Sequence, residues 1–239
     1  MQKAVVLLSG GLDSCVTASV AAQEHELALL HLQYGQRTQT RERQAFDDIA
    51  DHFNIAKANR LVVETEFLSQ IGCSALTDAS IKVPDADFES TNVPITYVPF
   101  RNAHLLSLGV SWAETIGAHS VYIGVVQDDS SGYPDCTEKF CSTFGQAVTE
   151  GTREGKIEIR TPVIHHDKAG IVKLALETEA PLHLTWSCYA NEITACGMCD
   201  SCVLRLRAFA KCGAIDPIPY AKQRGRHRLQ RLPRDSTTG

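Results

Sequence analysis

The chain has 239 residues, of which 44% are hydrophobic and 21% charged, a composition that is typical of a globular protein and excludes a disordered or fibrous chain. Its formal net charge of −5 at pH 7 gives no overall attraction to nucleic acid, so we expect no direct nucleic-acid partner. No apolar run approaches the ~20 residues that a membrane-spanning helix needs, so we expect no membrane association either.

The first part of the chain alternates short apolar runs with segments whose apolar residues recur at helical spacing. Strands are predicted over 4–8, 27–33 and 60–63, and helices over 12–24 and 40–53. This β-α-β-α-β order implies right-handed crossovers and therefore a parallel sheet. We expect an α/β fold in which helices flank a parallel twisted sheet.

The second part of the chain begins with a polar stretch. Residues 64–92 show no sustained period, which indicates a long loop of the kind that often borders a site. Asp167 is predicted to cap a helix that runs to about residue 179. The remaining predicted elements are helices over 102–116, 140–149 and 202–210 and strands over 120–126 and 157–164.

The turn after the first strand reads Ser9-Gly10-Gly11-Leu12-Asp13-Ser14. Ligands of open α/β sheets bind at the carboxyl ends of strands, and glycines followed by a helix N-terminus present amide N–H groups to an anion. Asp13 would repel a phosphate unless Mg²⁺ bridged the two groups. The turn lacks the Walker Gly-Lys-Ser/Thr and the Gly-x-Gly-x-x-Gly fingerprint. The alternative interpretation is a Gly-Gly turn with a Ser/Asp helix cap.

The motif Ser-Gly-Gly-x-Asp-Ser resembles the phosphate loop of the PP-loop ATP pyrophosphatase superfamily. This resemblance implies an adenine nucleotide alpha hydrolase-like fold, cleavage of ATP between its α and β phosphates, and adenylation of an oxygen of a second substrate. Tyr34 and Gly35 end the second strand on the same rim, where we expect contact with adenosine; ordinary loop packing is the alternative. The residues implied to bind ATP with Mg²⁺ in the loop are Leu8, Ser9, Gly10, Gly11, Leu12, Asp13 and Ser14, with catalytic roles for Asp13 and Ser14.

Four of the nine cysteines fall within fifteen positions. The first residues do not resemble a secretory signal, so we expect a cytoplasmic location, where clustered thiols indicate metal ligands before disulfides. Four thiolates around one Zn²⁺ form a closed, structural site; an iron–sulfur cluster and free thiols are the alternatives. The predicted ligands are Cys188, Cys196, Cys199 and Cys202, whereas small buried side chains are predicted for Cys15, Cys73, Cys136, Cys141 and Cys212.

Several motifs taken together resemble the 7-cyano-7-deazaguanine synthase family of queuosine biosynthesis. The resemblance implies an ATP-dependent ligase that converts 7-carboxy-7-deazaguanine and ammonia into the nitrile by adenylating first the carboxylate and then the amide, with release of AMP and pyrophosphate. It spans residues 4–212 and is carried by the phosphate loop, the segments 33–37, 98–102, 131–136, 161–162, 168–169 and 185–189, and the cysteine cluster.

This chemistry suggests roles for residues outside the phosphate loop. Arg101 is predicted to bind the substrate carboxylate or a phosphate, and Lys168 to neutralise phosphates, so both are candidate catalytic residues; a local cap and a solvated lysine are the alternatives. Tyr133, Pro134 and Asp135 offer an aromatic face and a carboxylate to a purine-like base, unless they form only a Gly-Tyr-Pro turn.

Two other functions remain open at this point: a tRNA-modifying PP-loop thiolase, and a non-catalytic nucleotide-binding sensor with structural zinc.

We expect residues 1–180 to form the ATP-binding core and 181–220 a small C-terminal zinc-binding lobe packed on it. Residues 221–239 are predicted to form a basic, disordered tail. The expected partners are small molecules (7-carboxy-7-deazaguanine, ammonia and ATP) together with a second copy of the chain, since homodimers are the commonest oligomers.

Overall fold

A computed structural model of the chain describes residues 1–87, 92–127 and 132–221. Residues 222–239 of the predicted tail, and Ser131 of the motif at 131–136, therefore lie outside the described residues. No helix of the described part is long and apolar enough to cross a membrane.

Five parallel strands form one sheet in the described part, which confirms the predicted parallel sheet. They lie side by side in the order β3-β2-β1-β4-β5, so the strand order reverses direction beside β1. This is the type of position at which open α/β sheets bind ligands. The strands are β1 (Lys3–Leu7), β2 (Glu26–Gln33), β3 (Arg60–Glu64), β4 (Ser120–Ile123) and β5 (Glu158–Arg160).

Seven α-helices lie in the described part and agree in place with the predicted ones, apart from one addition. The segment predicted to be a loop contains the five-residue helix α3, which is too short to give a periodic signal. The Asp167 side chain accepts the N–H of Gly170, which confirms the predicted cap of α6. The helices are α1 (Leu12–Ala22), α2 (Gln39–His52), α3 (Phe67–Ile71), α4 (Arg101–Ile116), α5 (Glu138–Gly151), α6 (Lys168–Glu177) and α7 (Asp200–Lys211).

Helices cover both faces of the sheet, and this explains why the central strands read as continuous apolar runs. Along β1, Val5 and Leu7 face α4 and α5, whereas Ala4 and Val6 face α1 and α2. Every one of these side chains is buried. The continuous apolar run from which β1 was predicted is therefore a consequence of burial on both faces of the sheet.

The cysteine-bearing segment packs on this core through α2, α6 and α7. Ala208 and Phe209 of α7 join the cluster of Ile171 and Val172 on α6, and Ala45 of α2 contacts the apolar side chains around the cysteines. All five strands precede residue 181. The domain boundaries at 180 and 220 stay a prediction.

The cysteines outside the cluster divide by exposure. Cys15, Cys136 and Cys141 are buried as predicted, and Cys212 is partly buried. The prediction was wrong for Cys73, which is exposed in the loop after α3.

Candidate active site and metal centre

A cavity of about 250 Å³ opens at the carboxyl ends of β1, β2 and β4. It brings together most residues that the sequence predicted for a site: Leu8, Ser9, Gly11, Leu12, Asp13, Ser14, Tyr34, Arg101, Tyr133 and Lys168 all line it. Gly10, Gly35, Pro134 and Asp135 are not among the lining residues. The phosphate loop, residues 9–14, forms one wall of the cavity, the phosphate-loop wall. Side chains from distant segments form the other, called here the opposite wall: Arg101, Tyr133, Tyr189 and Asp200.

The phosphate-loop wall is held by short hydrogen bonds among its own residues. The Ser9 and Ser14 hydroxyls lie 3.0 Å apart, and the Ser9 oxygen accepts the Gly11 N–H at 3.2 Å. The Ser14 hydroxyl donates to the Gly11 carbonyl at 3.0 Å. No side chain caps α1, so its first N–H groups keep their capacity to bind an anion.

At this wall, the Asp13 carboxylate has one oxygen in an ion pair and one oxygen without a hydrogen-bond partner. Its Oδ2 lies 2.5 Å from the Nζ of Lys168, an ion pair that joins α1 to α6. Its Oδ1 is buried and has no hydrogen-bond partner. Carboxylate oxygens are preferred ligands of Mg²⁺, and a buried acceptor without a partner is costly. The residues present therefore fit a magnesium ion beside the phosphate loop.

Two glycines make the close packing of the loop possible. Gly10 has φ +87°, and a Cβ there would lie 2.7 Å from the Glu42 carbonyl oxygen on α2. Its own carbonyl accepts the Trp186 N–H at 2.8 Å, so Gly10 joins the loop to the cysteine-bearing segment. A Cβ on Gly124, directly after β4, would lie 2.9 Å from the Asp13 carbonyl oxygen. Gly10 thus supports the loop from behind, outside the cavity.

Arg101 dominates the charge of the opposite wall. Its Nη1 donates to the Tyr34 hydroxyl at 2.9 Å, and no carboxylate of the described residues forms an ion pair with it. The Tyr133 hydroxyl is hydrogen-bonded to Thr96 at 2.8 Å. Burial raises the pKa of Tyr34, Tyr133 and Tyr189, so these phenols are neutral at neutral pH. A half-buried guanidinium among neutral phenols fits an anion.

Asp135 supports this wall from behind. Its Oδ2 accepts the N–H of Asn102 at 2.9 Å, in the first turn of α4 next to Arg101, and its backbone carbonyl accepts the Asn102 side-chain amide. The residue is buried, and its predicted contact with a purine-like base stays untested. Gly35 has φ +82° and donates its N–H to Gln39, so its contact with adenosine also stays a prediction.

The four clustered cysteines come together at the start of α7. Their sulfurs all lie within 4.8 Å of one another, and Cys196 and Cys202 are 3.9 Å apart, close to the ~3.8 Å edge of a tetrahedral Zn–S₄ site. Backbone N–H groups donate to the sulfurs of Cys188 and Cys196. Hydrogen bonds from the other three thiols hold the pKa of Cys196 below its ordinary value. The donor set fits a metal ion such as zinc.

Comparison with known proteins identifies the family of the chain. The model of the family described as queuosine biosynthesis protein QueC matches residues 3–213. The chain belongs to this family. A relative named 7-cyano-7-deazaguanine synthase from Koribacter versatilis is 55% identical over 229 residues, covering 94% of this chain and 96% of the relative. Relatives of the same name from Chlorobaculum parvum and Nautilia profundicola are 53% and 52% identical, covering 91% and 93% of this chain and 96% and 100% of the relatives.

The predicted family resemblance is thus confirmed, and this member of the family is an enzyme of queuosine biosynthesis. The cavity of this family member also contains residues that the sequence analysis did not select. Glu42, Asn102, Tyr189, Asp200 and Arg205 all line it. Two of them had a local signal, because Tyr189 follows one cysteine ligand and Asp200 lies between two others.

Trp186 connects the two sites. It lines the cavity, and its indole N–H donates to the Asn191 carbonyl at 3.0 Å within the cysteine-bearing loop. The Arg41 guanidinium stacks 4.8 Å from the centre of its ring. Trp186 therefore forms part of the cavity wall and also packs on the cysteine-bearing loop.

Proposed function

We propose that the chain is a carbon–nitrogen ligase that converts 7-carboxy-7-deazaguanine and ammonia into 7-cyano-7-deazaguanine at the cost of two ATP. The observation that carries the proposal is the presence of both required anion sites in one cavity. The phosphate loop with Asp13 and Lys168 forms one wall, and Arg101 stands on the other. Family membership and the names of the relatives support the choice of substrate.

In the first half-reaction, the substrate carboxylate attacks the α-phosphorus of ATP and pyrophosphate leaves. The α1 N–H groups and the Ser9 and Ser14 hydroxyls would hold the departing phosphates, and Lys168 would neutralise their charge. Bound Mg²⁺ would screen the same phosphates from the Asp13 carboxylate. Arg101 would align the substrate carboxylate, because it is a half-buried cation in the cavity without an anionic partner among the described residues.

Ammonia then displaces AMP from the acyl adenylate and leaves an amide. In the second half-reaction the amide oxygen attacks a second ATP, and pyrophosphate leaves again. Loss of AMP with two protons from nitrogen gives the nitrile. The same alignment serves both halves, since each one activates an oxygen on the same substrate carbon.

The remaining features of the proposal concern the assembly. We infer that the four cysteines hold one structural Zn²⁺, which leaves no open coordination position for chemistry. We also propose a cytoplasmic homodimer that uses free ammonia and has neither nucleic acid nor a membrane as a partner. Metal analysis of anaerobically purified protein tests the zinc assignment, since stoichiometric iron and sulfide would contradict it. Light scattering, which measures the mass in solution, tests the dimer.

The deciding experiment incubates the protein with 7-carboxy-7-deazaguanine, ammonium and Mg-ATP and follows nitrile and AMP by mass. We expect both products from the wild type and a loss of roughly 10²–10³-fold in rate for Asp13→Asn, comparable to removing one preorganised electrostatic group. Asp48→Asn, a carboxylate change on α2 outside the cavity, serves as the control. Nucleotide binding without AMP release would contradict the ligase and favour a sensor.

A further inference from the structure

The Asp200 carboxylate lines the cavity and has one oxygen without a hydrogen-bond partner. It is the first residue of α7 and lies between the cysteines at 199 and 202. Its Oδ1 is buried and has no hydrogen-bond partner, whereas the backbone N–H of Asp87 donates to the carboxylate. Because a buried charged acceptor without a donor is costly, a ligand that brings an N–H group is the missing partner.

The other carboxylates that line the cavity are already engaged. Glu42 accepts hydrogen bonds from Thr38 at 2.7 Å and from Gln36 at 3.0 Å, one on each oxygen. Asp13 is paired with Lys168 through Oδ2, and its partnerless Oδ1 lies in the phosphate-loop wall, where it fits Mg²⁺. Among the described residues that line the cavity, Asp200 is therefore the carboxylate left for the base of the substrate.

The surroundings of Asp200 favour a flat, N–H-rich ring over a free cation. Tyr133 and Tyr189 line the same cavity, and their rings offer apolar faces to a planar base. Arg101 lines the same cavity and would attract the acid group on the other end of such a ligand. A guanine-like base carries its amino group on the edge remote from the 7-substituent, and this amino group is a hydrogen-bond donor.

We propose that Asp200 determines specificity for the deazapurine by accepting a hydrogen bond at Oδ1 from the 2-amino group of the base. This inference rests on the proposed function, since it concerns the substrate of that reaction. The predicted base contact of Asp135 is replaced by this one, because the Asp135 carboxylate is engaged with Asn102 and does not line the cavity.

The test compares 7-carboxy-7-deazaguanine with its analogue that lacks the 2-amino group. The wild type should have a kcat/KM about 10–100-fold higher for the amino substrate than for the analogue. This is the discrimination expected from one hydrogen bond to a charged group. In Asp200→Asn, the Asp87 N–H retains the amide oxygen, so an NH₂ group faces the substrate amine. We expect kcat/KM for the amino substrate to fall by about 10–100-fold and that for the analogue to stay unchanged.

Glu192→Gln is the matched control, because this carboxylate lies in the same cysteine-bearing loop but does not line the cavity. Metal content and thermal midpoint are measured for each variant. Equal losses for both substrates in Asp200→Asn would overturn the proposal and indicate a structural role.

A wild type that makes nitrile equally well from both substrates would overturn it without any variant. A wild type that makes nitrile from neither would instead overturn the proposed function and this inference together.

Discussion

The two walls of the cavity are built in different ways. The phosphate-loop wall is built mainly from six consecutive residues, and the hydrogen bonds of its two serines join positions no more than five apart. In the opposite wall, Arg101, Tyr133, Tyr189 and Asp200 come from four separate segments. Backbone amides can hold a phosphate wherever a strand meets a helix, but a particular base requires side chains that only tertiary packing brings together.

The difference extends to what supports each wall. The phosphate loop rests on β1 and α1 at the centre of the sheet. The opposite wall depends on the cysteine-bearing segment and on α7, whose starting residue is Asp200. Substitutions that disrupt the metal centre or the contacts of α7 should therefore affect the opposite wall before the phosphate-loop wall.

The largest effect is expected for Cys196→Ser. Structural zinc contributes about 10–16 kcal/mol in small zinc-folded peptides, which is comparable to the roughly 5–15 kcal/mol stability of a whole domain. We expect loss of stoichiometric metal together with low solubility and a lowered thermal midpoint. Cys73→Ser, a change at an exposed cysteine outside the cluster, is the control and should leave both unchanged. Full metal content in Cys196→Ser would contradict the four-ligand assignment.

A smaller loss of stability is expected for Arg205→Met. The side chains of Arg205 and Asp216 are 3% and 2% exposed, and two hydrogen bonds of 2.7 and 2.9 Å join them. Arg205 also donates to Thr185 and Ser187 ahead of the first cysteine ligand. Removing one partner of a buried pair leaves an uncompensated charge and typically costs about 3–5 kcal/mol. Denaturant unfolding measures this cost.

The double variant Arg205→Met, Asp216→Leu sharpens the test, because no buried charge then remains. It should recover much of the lost stability. If the single variant unfolds within about 1 kcal/mol of the wild type, as exposed pairs do, the pair is not a support of this wall.

How far the sequence predicts each wall follows from the same contrast. The strand, the Gly-Gly turn and the helix around Asp13 are consecutive, so local patterns were enough to place the phosphate loop and the parallel sheet. The cysteine spacing likewise identified four sulfurs that do converge. Asp135 and Asp200 show the limit of this approach. Both are acids within or beside a motif, and only packing shows that one faces Asn102 while the other lines the cavity.

His31 gives the smallest expected effect and is one of several long-range supports of the phosphate-loop wall. Its Nδ1–H donates to the Leu8 carbonyl at 2.9 Å, directly before Ser9, and its Nε2 is buried without a hydrogen-bond partner. Burial lowers the pKa of His31 to about 4, against 6.5 for an unperturbed histidine. Between these values the unfolded chain binds more protons than the folded chain, so stability falls as the pH falls from 6.5 towards 4.

For this single group the free energy of unfolding should drop by about 1 kcal/mol between pH 6 and pH 5. His31→Asn keeps an amide donor near the Nδ1 position but cannot titrate, so the variant should lack this part of the pH dependence. His52→Asn, at the end of α2 and away from the cavity, is the control and should retain it. Equal slopes in the wild type and His31→Asn would show that His31 is not held neutral beneath the loop.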